Sequence, residues 1–80
     1  MKKKIAVLGS TGSIGKTLLQ IIDKDKVKFD VIVLTANKNY KELFKQAKNF
    51  KVKNLIITNL KSYEILKKKL KTIILKFLII

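Results

Sequence analysis

Gly9, Gly12 and Gly15 stand three residues apart in the string Gly9-Ser10-Thr11-Gly12-Ser13-Ile14-Gly15. What flanks them restricts the fold more than any other feature of the chain. Ile5-Ala6-Val7-Leu8 is a continuous apolar run ending at a glycine, the pattern of a strand buried on both faces. From Ser13 the period changes. Leu18, Leu19, Ile21 and Ile22 predict one apolar helical face, with Lys16 and Gln20 opposite. Strand, glycine turn and helix, in that order, are the context that the dinucleotide-binding fingerprint requires.

Each glycine has a physical role in such a turn. Gly9 lets the chain leave the strand sharply, Gly12 keeps a Cβ out of the path of a diphosphate, and Gly15 allows close packing of the helix. Backbone N–H groups from Thr11 to Ile14 then face an anion at the positive end of the helix dipole. The hydroxyls of Ser10, Thr11 and Ser13 add hydrogen-bonding capacity. The spacing is G-x-x-G-x-x-G rather than G-x-G-x-x-G. Lys16-Thr17 imitates the end of a Walker loop, but five residues separate Gly9 from Gly15 where that motif has four.

The same alternation continues downstream. Phe29 to Thr35 predicts a second strand around Val31-Ile32-Val33-Leu34. A loop, Thr35-Ala36-Asn37-Lys38, leads to Asn39 as an N-cap, with Glu42 three residues on to complete a capping box. The following helix places Leu43, Phe44, Ala47 and Phe50 on one side. A third strand lies within Lys53–Thr58, and Asn59 or Ser62 opens a third helix carrying Tyr63, Leu66 and Leu70. Short strands alternating with helices of about ten residues predict βαβ units and a parallel, doubly wound, Rossmann-like α/β sheet with helices on its faces. Thr72–Ile80 reads as a fourth strand or an apolar helix that needs partners. The chain is thus expected to be the N-terminal part of something longer, or a truncated or frameshifted product, with residues 1–70 a partial Rossmann-like domain and 71–80 an apolar tail or an aberrant C-terminus.

An absence narrows the ligand. NAD sites carry an Asp or Glu near the end of the second strand, about 20 residues past the glycines, for the ribose 2′-hydroxyl. Thr35-Ala36-Asn37-Lys38-Asn39 holds no acid there and does hold Lys38. A cation among neutral hydrogen-bonding residues suits the 2′-phosphate of NADP. Asp30 begins its strand and so lies at the wrong end of the sheet.

Composition excludes several other classes. Eighty residues allow at most one small domain with a thin core. No cysteine and no histidine are present, so neither a disulfide framework nor a Cys/His zinc site can form. Missing cysteine fits a cytoplasmic setting. The formal charge of +14 comes from lysines spread along the whole chain, without arginine or tryptophan. It reads as solvated faces rather than a specific nucleic-acid surface, which favours arginine and exposed aromatics. The apolar stretches fall short of the roughly 18–20 residues that span a membrane.

These residues resemble a known family. Lys4 through Gly15, Phe29-Asp30-Val31-Ile32-Val33-Leu34, the loop Ala36-Asn37-Lys38-Asn39 and the helix Leu43-Phe44-Lys45-Gln46-Ala47 are similar to the opening of the 1-deoxy-D-xylulose 5-phosphate reductoisomerases, over roughly residues 1–70. The resemblance implies an NADPH-dependent oxidoreductase of isoprenoid precursor synthesis. Such enzymes rearrange and reduce 1-deoxy-D-xylulose 5-phosphate to 2-C-methyl-D-erythritol 4-phosphate with Mg²⁺ or Mn²⁺, and a homodimer is implied for the whole enzyme. Its cofactor contacts map onto Thr11, Gly12, Ser13, Ile14, Lys38 and Asn39. Asn37 stands where the family usually has glycine, and asparagine tolerates the positive φ such a turn would use. With the turn, the expected cofactor site is Gly9, Ser10, Thr11, Gly12, Ser13, Ile14, Gly15, Asn37, Lys38 and Asn39. No catalytic or metal-binding residue is expected among these eighty, since the family's acidic metal ligands lie further on, so the chain alone is expected to be inactive. Two other readings remain open at this point: the start of a short-chain dehydrogenase or sugar epimerase, and a basic non-catalytic segment that binds polyanions.

Overall fold

A computed structural model describes residues 2–70 and 73–77. Strand β1 (Lys3–Val7) leads through the glycine turn into helix α1 (Ser13–Asp23). Strand β2 (Phe29–Ala36), helix α2 (Tyr40–Phe50), strand β3 (Asn54–Ile57), helix α3 (Leu60–Lys69) and strand β4 (Ile74–Phe77) follow. The final strand settles the open choice for the tail in favour of β structure at residues 74–77; Thr72 and residues 78–80 lie outside the described residues.

Every strand pairing is parallel and the spatial order is β1-β2-β3-β4. Each crossover therefore steps the same way across the sheet. Right-handed crossovers that all step one way place their helices on one face. Burial follows that layout. Leu34, Leu55 and Ile57 are completely buried and Val7 and Ala36 nearly so, whereas their neighbours Ala6 and Ile74 are exposed and Val33 and Ile56 only half-buried. The parallel α/β sheet read from the sequence is present. Among the described residues it is one half of a doubly wound arrangement, covered on one side.

The core under the helices joins Leu19 and Ile22 of α1, Leu43 and Ala47 of α2, and Leu66 of α3 to those strand residues. The four-residue apolar face expected for α1 is divided. Leu19 and Ile22 are buried, while Leu18 and Ile21 are exposed at 42% and 59%. Their positions put them on the flank beside β1, where no described element lies. Leu8, read as strand, falls just beyond β1 and is exposed. A bulge leaves Ile32 without a partner, since Ile5 pairs with Val31 and Ala6 with Val33.

Caps fix the helix ends. Asn39 Oδ1 accepts from Glu42 N at 3.2 Å and Asn59 Oδ1 from Ser62 N at 3.0 Å. The capping box is only half made, because Glu42 Oε2 accepts from Gln46 Nε2 at 3.1 Å, one turn along α2. Lys51, at φ 55°, closes α2 in the left-handed region, and Val52 N returns to Ala47 O at 3.0 Å.

Candidate functional site

The loops that follow β1, β2 and β3 converge at the carboxyl edge of the sheet, where ligands of open α/β sheets bind. Gly9 takes φ +65°, which only glycine adopts without strain, and Gly12 N closes the turn on Gly9 O at 3.1 Å. Gly15 is required by contact. A Cβ there would lie 2.4 Å from Gly9 O and 2.6 Å from Ser10 Cα, both backbone atoms that cannot yield. It thus lets α1 start directly against the turn.

The N-terminus of α1 differs from those of α2 and α3. Its N-cap, Gly12, offers no side chain, and like α3 but unlike α2 its first turn has no acid. Asparagine side chains cap the other two helices. The N–H groups of Ser13, Ile14 and Gly15 precede the first intrahelical bond, Lys16 N to Gly12 O at 2.9 Å. They therefore add to the positive end of the dipole and are left for an anion. A cleft of about 420 Å³ opens beside them, lined by Ala6, Leu8, Gly9, Gly12, Ile14 and Leu18 among others. A larger groove, about 630 Å³, runs between α1 and α2 behind the turn.

Of the turn residues, Gly12, Ser13 and Ile14 are exposed and Thr11 is half-buried. Ser10 departs from expectation. It is completely buried, and its hydroxyl donates inward to Thr35 O at 3.3 Å. Its side chain braces the turn instead of reaching outward. Asn37, Lys38 and Asn39 form the second exposed group. Asn37 does not adopt the positive φ expected of a glycine position; among the described non-glycine residues only Lys51 does. Its side chain accepts from Thr58 Oγ1 at 2.8 Å and its carbonyl from Asn59 N at 3.1 Å. Lys38 O accepts from Tyr40 N and from Ser62 Oγ, both at 2.8 Å. That backbone is held from both sides while the Lys38 side chain projects from an exposed residue. Asp30 pairs in register with Lys4 at the opposite end of β2, away from these loops.

Two residues that the sequence reasoning passed over hold the turn in place. Thr35 takes the Gly9 N–H on its hydroxyl at 2.8 Å and the Ser10 N–H on its carbonyl at 2.9 Å. Gln46, buried in α2, donates from Nε2 to Ser10 O at 2.9 Å. The signal for Thr35 was a hydroxyl closing an apolar strand. For Gln46 it was an amide on the same helical face as Leu43 and Ala47.

A family model described as 1-deoxy-D-xylulose 5-phosphate reductoisomerase matches residues 5–79. The chain belongs to the 1-deoxy-D-xylulose 5-phosphate reductoisomerase family. The reductoisomerase of Pelagibacter ubique is 56% identical over 69 residues, covering 86% of this chain and 18% of that protein. That of Buchnera aphidicola subsp. Schizaphis graminum is 51% identical over 69 residues, with 86% and 17% covered. Among solved structures, the reductoisomerase of Zymomonas mobilis in complex with NADPH superposes with a TM-score of 0.89 at 34% identity, covering 96% of this chain and 21% of that one. A reductoisomerase in complex with NADPH, fosmidomycin and magnesium gives 0.82 at 30% identity, with 92% and 19% covered.

The chain thus spans about a fifth of the length of the reductoisomerases it matches. The family reading prevails over the epimerase and polyanion readings. The family model also runs past residue 70, where the resemblance read from the sequence stopped, and takes in β4.

Proposed function

We propose that this chain forms the phosphate-holding part of a reductoisomerase NADPH site. The observation that carries this reading is the uncapped start of α1, pressed against the Gly9 turn through Gly15. The residues fit the cofactor. Thr11, Ser13 and Ile14 present backbone N–H groups and hydroxyls to the diphosphate; Gly12, whose own N–H is spent on Gly9 O, keeps a Cβ out of its path, and Gly9, Ser10 and Gly15 shape the turn. Lys38, flanked by Asn37 and Asn39, supplies a positive charge for the 2′-phosphate. No acid stands at the end of β2 to favour an unphosphorylated ribose. NADPH, when bound, supplies hydride.

The residues present do not fit the family's metal. Among the described residues no three His, Cys, Asp or Glu side chains gather. We therefore assign this chain no catalytic residue and no step of the rearrangement. Conversion of 1-deoxy-D-xylulose 5-phosphate to 2-C-methyl-D-erythritol 4-phosphate with Mg²⁺ or Mn²⁺, in a cytoplasmic homodimer, is the activity we propose for the whole protein. Among the described residues no helix is long and apolar enough to cross a membrane.

Fluorescence titration with NADPH and NADH tests the reading. We expect saturable binding of NADPH and weaker binding of NADH; no saturable change at millimolar NADPH overturns it.

A further inference from the structure

We propose that Gln46, a residue of α2 outside the glycine turn, sets the direction in which the Thr11 N–H points and so acts as a positioning residue for the cofactor phosphate. The inference rests on the reading of the turn as an NADPH site. Gln46 is 5% exposed, and both acceptors of its amide nitrogen are identified: Ser10 O at 2.9 Å and Glu42 Oε2 at 3.1 Å. Because both are acceptors, the nitrogen end of the amide must face them.

The bond to Ser10 O has a consequence one atom further along the chain. In a planar trans peptide the carbonyl of one residue and the N–H of the next point in opposite directions. Drawing Ser10 O towards α2 turns the Thr11 N–H away from α2, out of the core. The other side of the Ser10 residue is fixed as well, because its N–H donates to Thr35 O at 2.9 Å. Thr35 and Gln46 thus grip Ser10 from two elements, and the peptide that leads into Thr11 has little freedom to flip.

A second observation indicates that Gln46 is not there for packing. Its Oε1 is buried and finds no hydrogen-bond partner among the described residues. An unsatisfied buried acceptor lowers stability. A methionine of similar length would fill the same space between Leu43 and Ala47 without that orphaned oxygen, at the expense of the buried Ser10 carbonyl losing its donor. What methionine cannot do is donate to Ser10 O.

NADP⁺ titration by calorimetry, joined to amide NMR of the whole chain, tests the inference. In the unaltered chain the Thr11 amide resonance shifts on adding NADP⁺. In Gln46→Met we expect affinity to fall about tenfold, the Thr11 shift to be lost, and the Gly9 and Ser10 amides to exchange faster, with Leu55 and Ile57 unchanged. A uniform rise in exchange across the sheet marks a merely structural role and overturns the inference. So does unchanged affinity in a folded Gln46→Met.

If the unaltered chain binds no NADP⁺, the cofactor reading fails by itself. The local exchange of Gly9 and Ser10 then still decides whether Gln46 orients the turn. Gln46→Glu guards against misfolding of the methionine variant, since its carboxyl donates to Ser10 O only when protonated. The charged groups around it are Glu42, Lys45 and Lys48 of α2 and Lys16 and Asp23 of α1. Its affinity relative to the unaltered chain should rise from about pH 8 to about pH 5.5; a flat ratio counts against the inference.

Discussion

The Gly9 N–H donates to the Thr35 hydroxyl at 2.8 Å across 26 residues of sequence. This bond joins the turn that follows β1 to the last residues of β2, two positions before Asn37. The two exposed groups of the candidate site are therefore not independent loops. The glycine turn and the Lys38 loop are set relative to each other through Thr35, whose hydroxyl and carbonyl both hold the turn.

Thr35→Val keeps the shape of the side chain and removes the acceptor. The Gly9 N–H loses its partner, and stability should fall by about 1–2 kcal/mol. NADPH affinity should fall with it, because Gly9 begins the turn. Chemical denaturation followed by fluorescence titration of the folded variant measures both.

Gly15→Ala should be far more damaging than its single methyl suggests. The new Cβ would meet Gly9 O at 2.4 Å, and only movement of α1 away from the turn relieves it. We expect a loss of about 1–3 kcal/mol, the usual range for overpacking, and no measurable NADPH binding. Gly12→Ala is the informative contrast. Its Cβ would sit 3.4 Å from Gly9 O, close to ordinary contact, so the fold should survive while cofactor affinity falls. Circular dichroism and titration of the pair separate fold from site.

Lys38→Ala should leave the melting temperature almost unchanged, since Lys38 is exposed and its backbone carbonyl makes the local hydrogen bonds. It should weaken NADPH by about tenfold, the scale of one charge-assisted contact, and leave NADH nearly unaffected. Equal losses for both cofactors would show that Lys38 does not read the 2′-phosphate.

Leu34→Ala tests the core. Leu34 is completely buried at the centre of the sheet, paired in register with Val7 and Leu55. Its truncation should cost about 2–5 kcal/mol, a large share of the about 5–15 kcal/mol available to a small domain. A thermal melt should show the variant mostly unfolded at physiological temperature.

Much of this arrangement was legible because period and punctuation agree. Val31 to Leu34 read as the apolar run of a strand, and Asn39 announced the helix it caps, while Asn59 was one of two candidates for the next. The glycine turn was legible for the same reason, since Gly9 and Gly15 each met a distinct steric demand, a positive φ and a close backbone contact. What escaped were relations between distant residues. Nothing local in Ser10 shows that its hydroxyl turns inward, because that depends on β2 lying behind it. Leu18 and Leu19 are indistinguishable by hydropathy, yet only Leu19 meets the sheet. The partners of Thr35 and Gln46 lie 26 and 36 residues away, beyond the reach of any helical or strand period.

The strand order carries one more implication. Among the described residues the sheet runs β1-β2-β3-β4, so the strand that bears the glycine turn is the outermost of these four, and the cleft beside it is lined from β1, the turn and α1. On the proposed reading these residues give a dinucleotide a berth at its charged middle. Such a berth discriminates by electrostatics rather than by shape. Its hold on the cofactor should loosen steeply as ionic strength rises, and its selectivity between dinucleotides should follow the number of phosphates more than the identity of the rings.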